Sequence, residues 1–169
     1  NQTKNQIEAV TSVRDILTIK LFDLDLDRAN ALKEELEGSV QISDRSVLVC
    51  ESLEQCVRDA NIVTTLTPSR EGYLEYDWLL PDVHINAVGA DAEGKRELCE
   101  SVISNVDMVI YDNYEQCSHS GEIQYFEEDE RWDSLESVVS GKRLKDDQIQ
   151  ATLFDATGLA IEDVSTGRY

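Results

Sequence analysis

The chain of 169 residues carries 35 acidic and 15 basic side chains, which gives a formal net charge of -20 at pH 7. This charge excludes a nucleic-acid reader and disfavours anionic membrane surfaces, because both kinds of binding depend on Lys and Arg. Hydrophobic residues make up 41% and charged residues 30% of the chain, a balance typical of a globular protein. We therefore expect one folded domain. Its acid excess fits either an ordinary soluble surface or adaptation to high salt.

In chain order, short apolar runs alternate with amphipathic stretches, a pattern typical of βαβ units with a parallel sheet. The first half is predicted to form a helix over 2–14, a strand over 16–22, a helix over 27–36 ending at Gly38, a strand over 47–50, a helix over 53–58 and a strand over 61–65. The second half is predicted to form a strand over 84–88, a helix over 97–104, a strand over 108–111, a helix over 135–140, a strand over 151–154 and a final helix over 159–164. The segment around His119 is predicted to be a loop. The fold class predicted is α/β.

Targeting signals and metal ligands are not evident in the sequence. No apolar run approaches the roughly 20 residues that cross a bilayer, and the first residues lack a secretory pattern, so we predict a soluble cytoplasmic protein without a membrane partner. The four cysteines, Cys50, Cys56, Cys99 and Cys117, contain no CxxC pair and no His at zinc-like spacing. They are predicted to be free thiols, and no metal site is predicted.

Asp23 follows the first predicted strand at the place where a dinucleotide fold holds the adenosine ribose with an acidic side chain. An equally weighted alternative makes it a turn or N-cap residue within the acidic run 23–27. No Arg or Lys directly follows Asp23, so a 2′-phosphate would meet only negative charge, and NAD is favoured over NADP. The glycine-rich turn of that fold is missing from the sequence.

Six segments, spread in order over nearly the whole chain, carry a family resemblance. They are 2–9 (QTKNQIEA), 22–23 (FD), 64–70 (TTLTPSR), 86–91 (NAVGAD), 94–98 (GKREL) and 154–160 (FDATGLA). Each segment is weak alone, but together they closely resemble the ornithine cyclodeaminase and mu-crystallin family, which includes archaeal alanine dehydrogenases.

The resemblance implies a Rossmann-type, doubly wound parallel sheet over 1–155, with 156–169 starting a helix that returns towards a substrate domain. In the family, a Gly-x-Gly turn directly precedes the position matching Asn1, so we expect this sequence to be a fragment. The parent chain would supply the first strand and most of the substrate and dimerisation domain, and a homodimer is implied. A sheet without that central strand would leave both neighbouring strands with unpaired edges.

The resemblance also implies site residues. Asp91 matches the family's catalytic aspartate and would move a proton while hydride leaves the substrate α-carbon. The positions implied to bind the cofactor, NAD, are Asn1, Gln2, Asp23, Thr67, Val88, Gly89, Ala90, Lys95 and Ala156. Thr157 matches a position that touches substrate. Ala156 stands where the family usually carries a serine, so its contact with the cofactor is expected through backbone or packing.

Two of these assignments have structural alternatives. Asp91 is also placed to be only the N-cap of the predicted helix that follows it. Lys95 is alternatively a surface lysine at the start of that helix, an unfavourable place for a cation beside the helix dipole. That disadvantage favours a functional Lys95.

The activity implied is that of an enzyme acting on the C–N bond of a small amino acid or cyclic imine, with ornithine cyclodeaminase first. Alanine dehydrogenase and ketimine reductase are alternatives within the family. A third alternative is a crystallin-like protein that binds the ligand without turnover.

Overall fold

Two separate parallel sheets organise the computed structural model, which describes residues 2–40, 42, 44–142 and 148–159. The chain divides into two compact units, Asn1–Arg58 and Asp59–Tyr169, and each has its own sheet. The helices are α1 Gln2–Val13, α2 Leu26–Glu37, α3 Leu53–Val57, α4 Glu100–Asn105, α5 Tyr114–Ser120 and α6 Leu135–Val139. The strands are β1 Thr18–Leu21, β2 Ser46–Val49, β3 Ile62–Thr65, β4 His84–Ala87, β5 Met108–Tyr111, β6 Trp132–Ser134 and β7 Thr152–Asp155. Tyr76–Trp78 and Glu122–Tyr125 form short 3₁₀ helices.

The first unit packs β1 and β2, which pair in parallel, with the helices α1 and α2. Alternate strand residues face its core, which consists of Ile19, Leu21, Leu36, Ile42 and Val47 with partly buried Ile7, Ile16, Leu32 and Val49 around it. The side chain of Asp25 caps α2 by accepting hydrogen bonds from two amides of its first turn, and Gly38 ends that helix. The predicted helix end at Gly38 is confirmed.

The second unit contains a five-stranded parallel sheet in the order β3-β4-β7-β5-β6. One face of its central strands lies in the core, since the register partners Ile85, Leu153 and Val109 are completely buried. Every described strand pair is parallel, so the α/β prediction is confirmed. Among the described residues, β1 bonds only to β2 and β3 only to β4, so each has one edge without a ladder partner.

Three differences from the predicted elements concern the second unit. The helix predicted from residue 97 begins at Glu100, and Glu97 lies before it. α5 and β6 were not predicted, because α5 has a single buried side chain, Cys117, and β6 has three residues, so neither shows a hydrophobic period. His119 therefore lies in a helix and not in the predicted loop. The predicted helix over 159–164 lies outside the described residues except for Leu159, and the boundary at residue 155 stays a prediction.

The cysteine prediction is confirmed. All four are free thiols, with Cys50 and Cys117 buried and Cys56 and Cys99 half-buried. Within the described residues, no helix has the length and apolar character needed to span a bilayer.

Candidate functional site

The carboxyl ends of β3, β4 and β7 bring several predicted cofactor positions together in the second unit. Thr65 pairs with Ala87, and Ala87 pairs with Asp155, so the three strands end side by side. The ladder continues one step further, because the Val88 amide donates to Thr65 O and the Ala156 amide to Ala87 O. In parallel α/β sheets, ligands bind at the carboxyl ends of the strands. Val88, Gly89, Ala90, Ala156 and Thr67 all lie on the loops that leave these ends.

A completely buried carboxylate, Glu97, ties two of these loops together. Its Oε1 accepts hydrogen bonds from the Thr67 amide at 2.5 Å and from Tyr73 Oη at 2.8 Å. Its Oε2 accepts one from the Gly89 amide at 3.0 Å. A buried charge of this kind is tolerated only with such donors, so Glu97 fixes the loop after β3 against the loop after β4.

Gly89 is required by this packing. A Cβ atom there would lie 2.5 Å from Glu97 Oε2 and 2.5 Å from Thr67 O. Real Cβ atoms do not approach that closely, so any other residue would push the two loops apart. The sequence predicted a glycine beside the cofactor, and the structure shows that the backbone contact with Glu97 also demands it.

Tyr73 stays protonated and is therefore available as a donor to Glu97. Burial first, and then the negative charge of Glu97, raise the pKa of its hydroxyl above the ordinary value. Tyr73 Oη also accepts a hydrogen bond from Thr67 Oγ1 at 3.1 Å. The phenol thus links the side chain of Thr67 to the same carboxylate that binds the Thr67 amide.

Two further buried acids, Glu122 and Asp155, bind backbone amides in the segments next to Glu97. Glu122 accepts hydrogen bonds from the amides of Glu97 (2.7 Å) and Leu98 (3.1 Å), and Asp155 accepts one from the Ile123 amide (3.1 Å). Burial raises the pKa of Glu122 to about 8 and that of Asp155 to about 7. The three acids therefore connect the end of β7 to the loops after β3 and β4.

Asp91, the predicted catalytic residue, is exposed and forms an ion pair with Lys95. Its loop is held at both ends. Glu97 binds the Gly89 amide at one end, while Gln124 accepts from the Gly94 amide and donates to Lys95 O at the other, both at 2.9 Å. The loop presents the Asp91 carboxylate to solvent beside the half-buried Lys95, on a backbone that is held at both ends.

The helix on which both structural alternatives depended does not begin at these residues. Residues 91–99 contain no helix, and α4 begins at Glu100 with Cys99 as its N-cap residue. Asp91 therefore caps no helix, and Lys95 does not face a helix dipole. The sequence argument that an unfavourable dipole favours a functional Lys95 fails with it, and the ion pair with Asp91 now gives the reason for its position.

Thr157 and the segment after β7 are held by Asp112, which follows β5. Asp112 Oδ2 accepts hydrogen bonds from the amides of Thr157 at 2.9 Å and Gly158 at 2.8 Å. The Thr157 hydroxyl donates to the same carboxylate, with Oγ1 3.2 Å from Oδ1. Asp112 thus fixes the residue that the resemblance places beside the substrate.

The remaining predicted positions belong to the first unit. Gln2 is exposed at the first residue of α1, and Asn1 lies outside the described residues. Asp23 is exposed after β1, and its Oδ1 accepts a hydrogen bond from the Asp25 amide at 2.8 Å. Asp25, and not Asp23, is the N-cap of α2. Asp23 therefore forms a local turn, which leaves its other oxygen available to a ligand.

Sequence reasoning missed the residues that hold this site, namely Glu97, Glu122, Asp155, Asp112 and Tyr73. Glu97 was predicted to be the first residue of a helix, and nothing in the surrounding sequence marks it as buried. The only available signal was its place in the GKREL segment of the family resemblance. A buried carboxylate becomes recognisable only when its donors, which come from residues 8 to 30 positions away, are seen in three dimensions.

The parallel sheets, together with polar and glycine residues on the loops at strand carboxyl ends, define a Rossmann-like α/β protein of the kind that binds dinucleotides. The model of the ornithine cyclodeaminase/mu-crystallin family matches residues 1–169, and the chain belongs to that family.

Individual relatives cover the chain almost completely. It is 32% identical to an ornithine cyclodeaminase of Brucella abortus, over 99% of this chain and 46% of that protein. It is 30% identical to an alanine dehydrogenase of Archaeoglobus fulgidus, over 96% of this chain and 51% of that protein. Among solved structures, an archaeal alanine dehydrogenase dimer with bound NAD superposes with a TM-score of 0.88 at 30% identity, over 99% of this chain and 52% of that chain. The chain thus spans about half the length of the relatives it matches.

Proposed function

We propose that this chain is the NAD-binding part of an enzyme that acts at the C–N bond of a small amino acid, in the manner of an ornithine cyclodeaminase. The observation that carries the proposal is the exposed Asp91 carboxylate, paired with Lys95 on a loop that Glu97 and Gln124 hold at both ends. A fixed, solvent-facing acid at this edge of a parallel sheet is suited to proton transfer with a bound substrate.

The proposed cofactor is NAD. Asp23 fits the ribose of the adenosine half, since one of its carboxylate oxygens has no hydrogen-bond partner in the described structure. No Arg or Lys directly follows Asp23, and the next charged residues are Asp25 and Asp27, which disfavours the 2′-phosphate of NADP. In the second unit, Thr67, Val88, Gly89, Ala90, Lys95 and Ala156 are proposed for the nicotinamide half. Gln2 and Asn1 are proposed for the pyrophosphate, where helix amides favour anions.

When bound, NAD supplies the hydride acceptor for oxidation at the substrate α-carbon. Asp91 is proposed to take the proton that the α-ammonium group must release, and Lys95 to orient the Asp91 carboxylate. Thr157, held by Asp112, is proposed to contact the substrate. With ornithine, the side-chain amine attacks the resulting imine, ammonia leaves, and return of the hydride gives proline with no net redox change.

Alanine dehydrogenase is the second candidate, favoured by the 30% identity and the TM-score of 0.88 with the archaeal enzymes. In that reaction water attacks the imine, so the products are a keto acid, ammonia and NADH. A ketimine reductase would use the same site in the opposite direction.

The deciding experiment supplies the full-length protein with NAD and either ornithine or alanine, and measures NADH and proline separately. Proline without accumulating NADH is expected. Net NADH production from alanine would show that the activity is that of an alanine dehydrogenase and not of a cyclodeaminase. NAD binding without either product would support a crystallin-like binding protein.

We also propose a cytoplasmic homodimer. The archaeal alanine dehydrogenase is described as a dimer, and four free thiols are typical of a reducing compartment. Light scattering of the full-length protein, with twice the monomer mass expected, tests the dimer.

A further inference from the structure

Glu97 has an unusual position for a charged side chain. It is completely buried, it belongs to no helix or strand, and both of its carboxylate oxygens are occupied by donors from other parts of the chain. Because it is inaccessible, it cannot touch a cofactor or a substrate itself. Any function it has must act through the groups that it binds.

The groups that bind Glu97 all belong to, or contact, the loops at the carboxyl ends of β3 and β4, where the cofactor is proposed to bind. Two of the three donors are the backbone amides of Thr67 and Gly89, on the loops after β3 and β4, and the third is Tyr73, which also binds the Thr67 side chain. A carboxylate that loses a donor in a buried site leaves an uncompensated charge. The distance between these two loops is therefore set by Glu97.

Glu75 provides a control for Glu97, because it is also a hydrogen-bonded carboxylate but has different partners. Glu75 is half-buried, and its oxygens accept hydrogen bonds from the side chains of Cys99 and Ser101 at 3.2 and 3.0 Å. Both bonds join it to the start of α4, and neither goes to Thr67 or Gly89. Replacing Glu75 therefore tests the general effect of losing a half-buried, hydrogen-bonded carboxylate without removing a bond to the Thr67 or Gly89 amide.

We propose that Glu97 is a positioning residue for the nicotinamide half of the dinucleotide, because it fixes the spacing of the Thr67 and Gly89 loops. This inference rests on the proposed NAD function. It assigns Glu97 no proton transfer and no ligand contact. Glu122 supports the position by binding the amides of Glu97 and Leu98.

The test compares two ligands on the full-length protein by titration calorimetry. NAD has the nicotinamide ring, and ADP-ribose lacks it but keeps the adenosine and pyrophosphate. Glu97→Gln keeps the shape of the side chain but points an amide NH₂ group at one of the backbone donors. It is expected to weaken NAD binding by about tenfold, equivalent to about 1.4 kcal/mol, while ADP-ribose binding stays within about twofold of wild type.

Two further variants keep the test decisive. Tyr73→Phe removes one donor and leaves both backbone amides in place, so it is expected to weaken NAD about threefold without changing ADP-ribose affinity. It carries the comparison if Glu97→Gln does not fold. Glu75→Gln is the matched control and is expected to leave the affinity for both ligands at the wild-type value.

The outcomes separate the two proposals. Unchanged NAD affinity in both Glu97→Gln and Tyr73→Phe, or equal weakening of NAD and ADP-ribose, would overturn the positioning inference while the NAD function stands. Wild-type protein that binds neither ligand would overturn the proposed function and this inference with it. Selective loss of NAD affinity supports the inference.

Discussion

Glu97 Oε2 accepts a hydrogen bond from the Gly89 amide, and a Cβ atom at residue 89 would lie 2.5 Å from that same oxygen. The position of the Glu97 carboxylate therefore requires a glycine at residue 89. Gly89 gives the carboxylate room to reach the backbone, and the carboxylate holds the loop from which Ala90 and Asp91 follow.

Gly89→Ala is expected to destabilise the protein by about 1–3 kcal/mol, the usual cost of forcing a methyl group into a packed site. The measurement is the free energy of unfolding in denaturant. Gly38→Ala is the control, because Gly38 has a helical backbone and its nearest neighbour to a new Cβ is 3.5 Å away. That variant is expected to remain within about 1 kcal/mol of wild type. Equal stability of both variants would contradict the close packing at Gly89.

Asp91→Asn is expected to lower kcat of the full-length enzyme by about a hundredfold or more, because it removes the proton acceptor. NAD affinity is expected to stay within about tenfold, since no ribose contact is lost. Glu93→Gln removes an exposed charge from the same loop and serves as the control, with nearly unchanged kcat. A near-normal rate for Asp91→Asn would remove Asp91 from the mechanism.

Asp23→Asn is expected to weaken NAD binding by about tenfold, because hydrogen bonds from the ribose hydroxyls to a carboxylate are stronger than those to an amide. The affinity for NADP should fall less, so the ratio of the NAD affinity to the NADP affinity should become smaller. The control is Asp27→Asn, which removes the same charge four residues away in the first turn of α2. If both variants weaken NAD equally, the effect is one of general charge and Asp23 is not the ribose ligand.

Glu122 is expected to make stability depend on pH. Burial raises its pKa in the folded protein from 4.5 to about 8, so between these values the folded state holds a proton that the unfolded state has released. Its contribution to the free energy of unfolding is therefore complete below pH 4.5 and is lost as the pH rises towards 8.

Denaturation of the wild type and of Glu122→Gln between pH 5 and 8 measures this dependence, with the window taken from the two pKa values. The variant cannot ionise, so the wild type should gain stability relative to it as the pH falls. Glu115→Gln, at an exposed position on α5, should run parallel to wild type. A constant difference between wild type and Glu122→Gln would mean that Glu122 does not change its protonation on folding in this range.

Much of the fold was predictable because hydrophobic periodicity is a local property. The strand over 108–111 and the end of α2 at Gly38 were predicted as they occur, and the parallel pairing followed from the alternation of strands and helices. The elements that were missed are short. α5 depends on the Asn113 cap and one buried cysteine, and such a segment is stabilised mainly by its surroundings.

The candidate site divides in the same way. The positions of Thr67, Gly89 and Asp91 at strand ends could be predicted, because the sequence shows where each strand stops and the family resemblance shows which residues follow. The roles of Glu97, Glu122 and Asp112 could not, because each binds backbone amides far away in the sequence. An acidic side chain near a predicted helix is normally a solvated one.

The sequence by itself determined the parallel α/β architecture, the family and the order of the strand-end loops, since these depend on local patterns of apolar, glycine and acidic residues. Only the tertiary structure decided which acids are buried, that Asp91 pairs with Lys95 outside any helix, and that Glu97 holds two loops together. The physical reason is that a charge can be buried only where folding brings hydrogen-bond donors to it. These donors are distant in the sequence, so local patterns of residues do not reveal them.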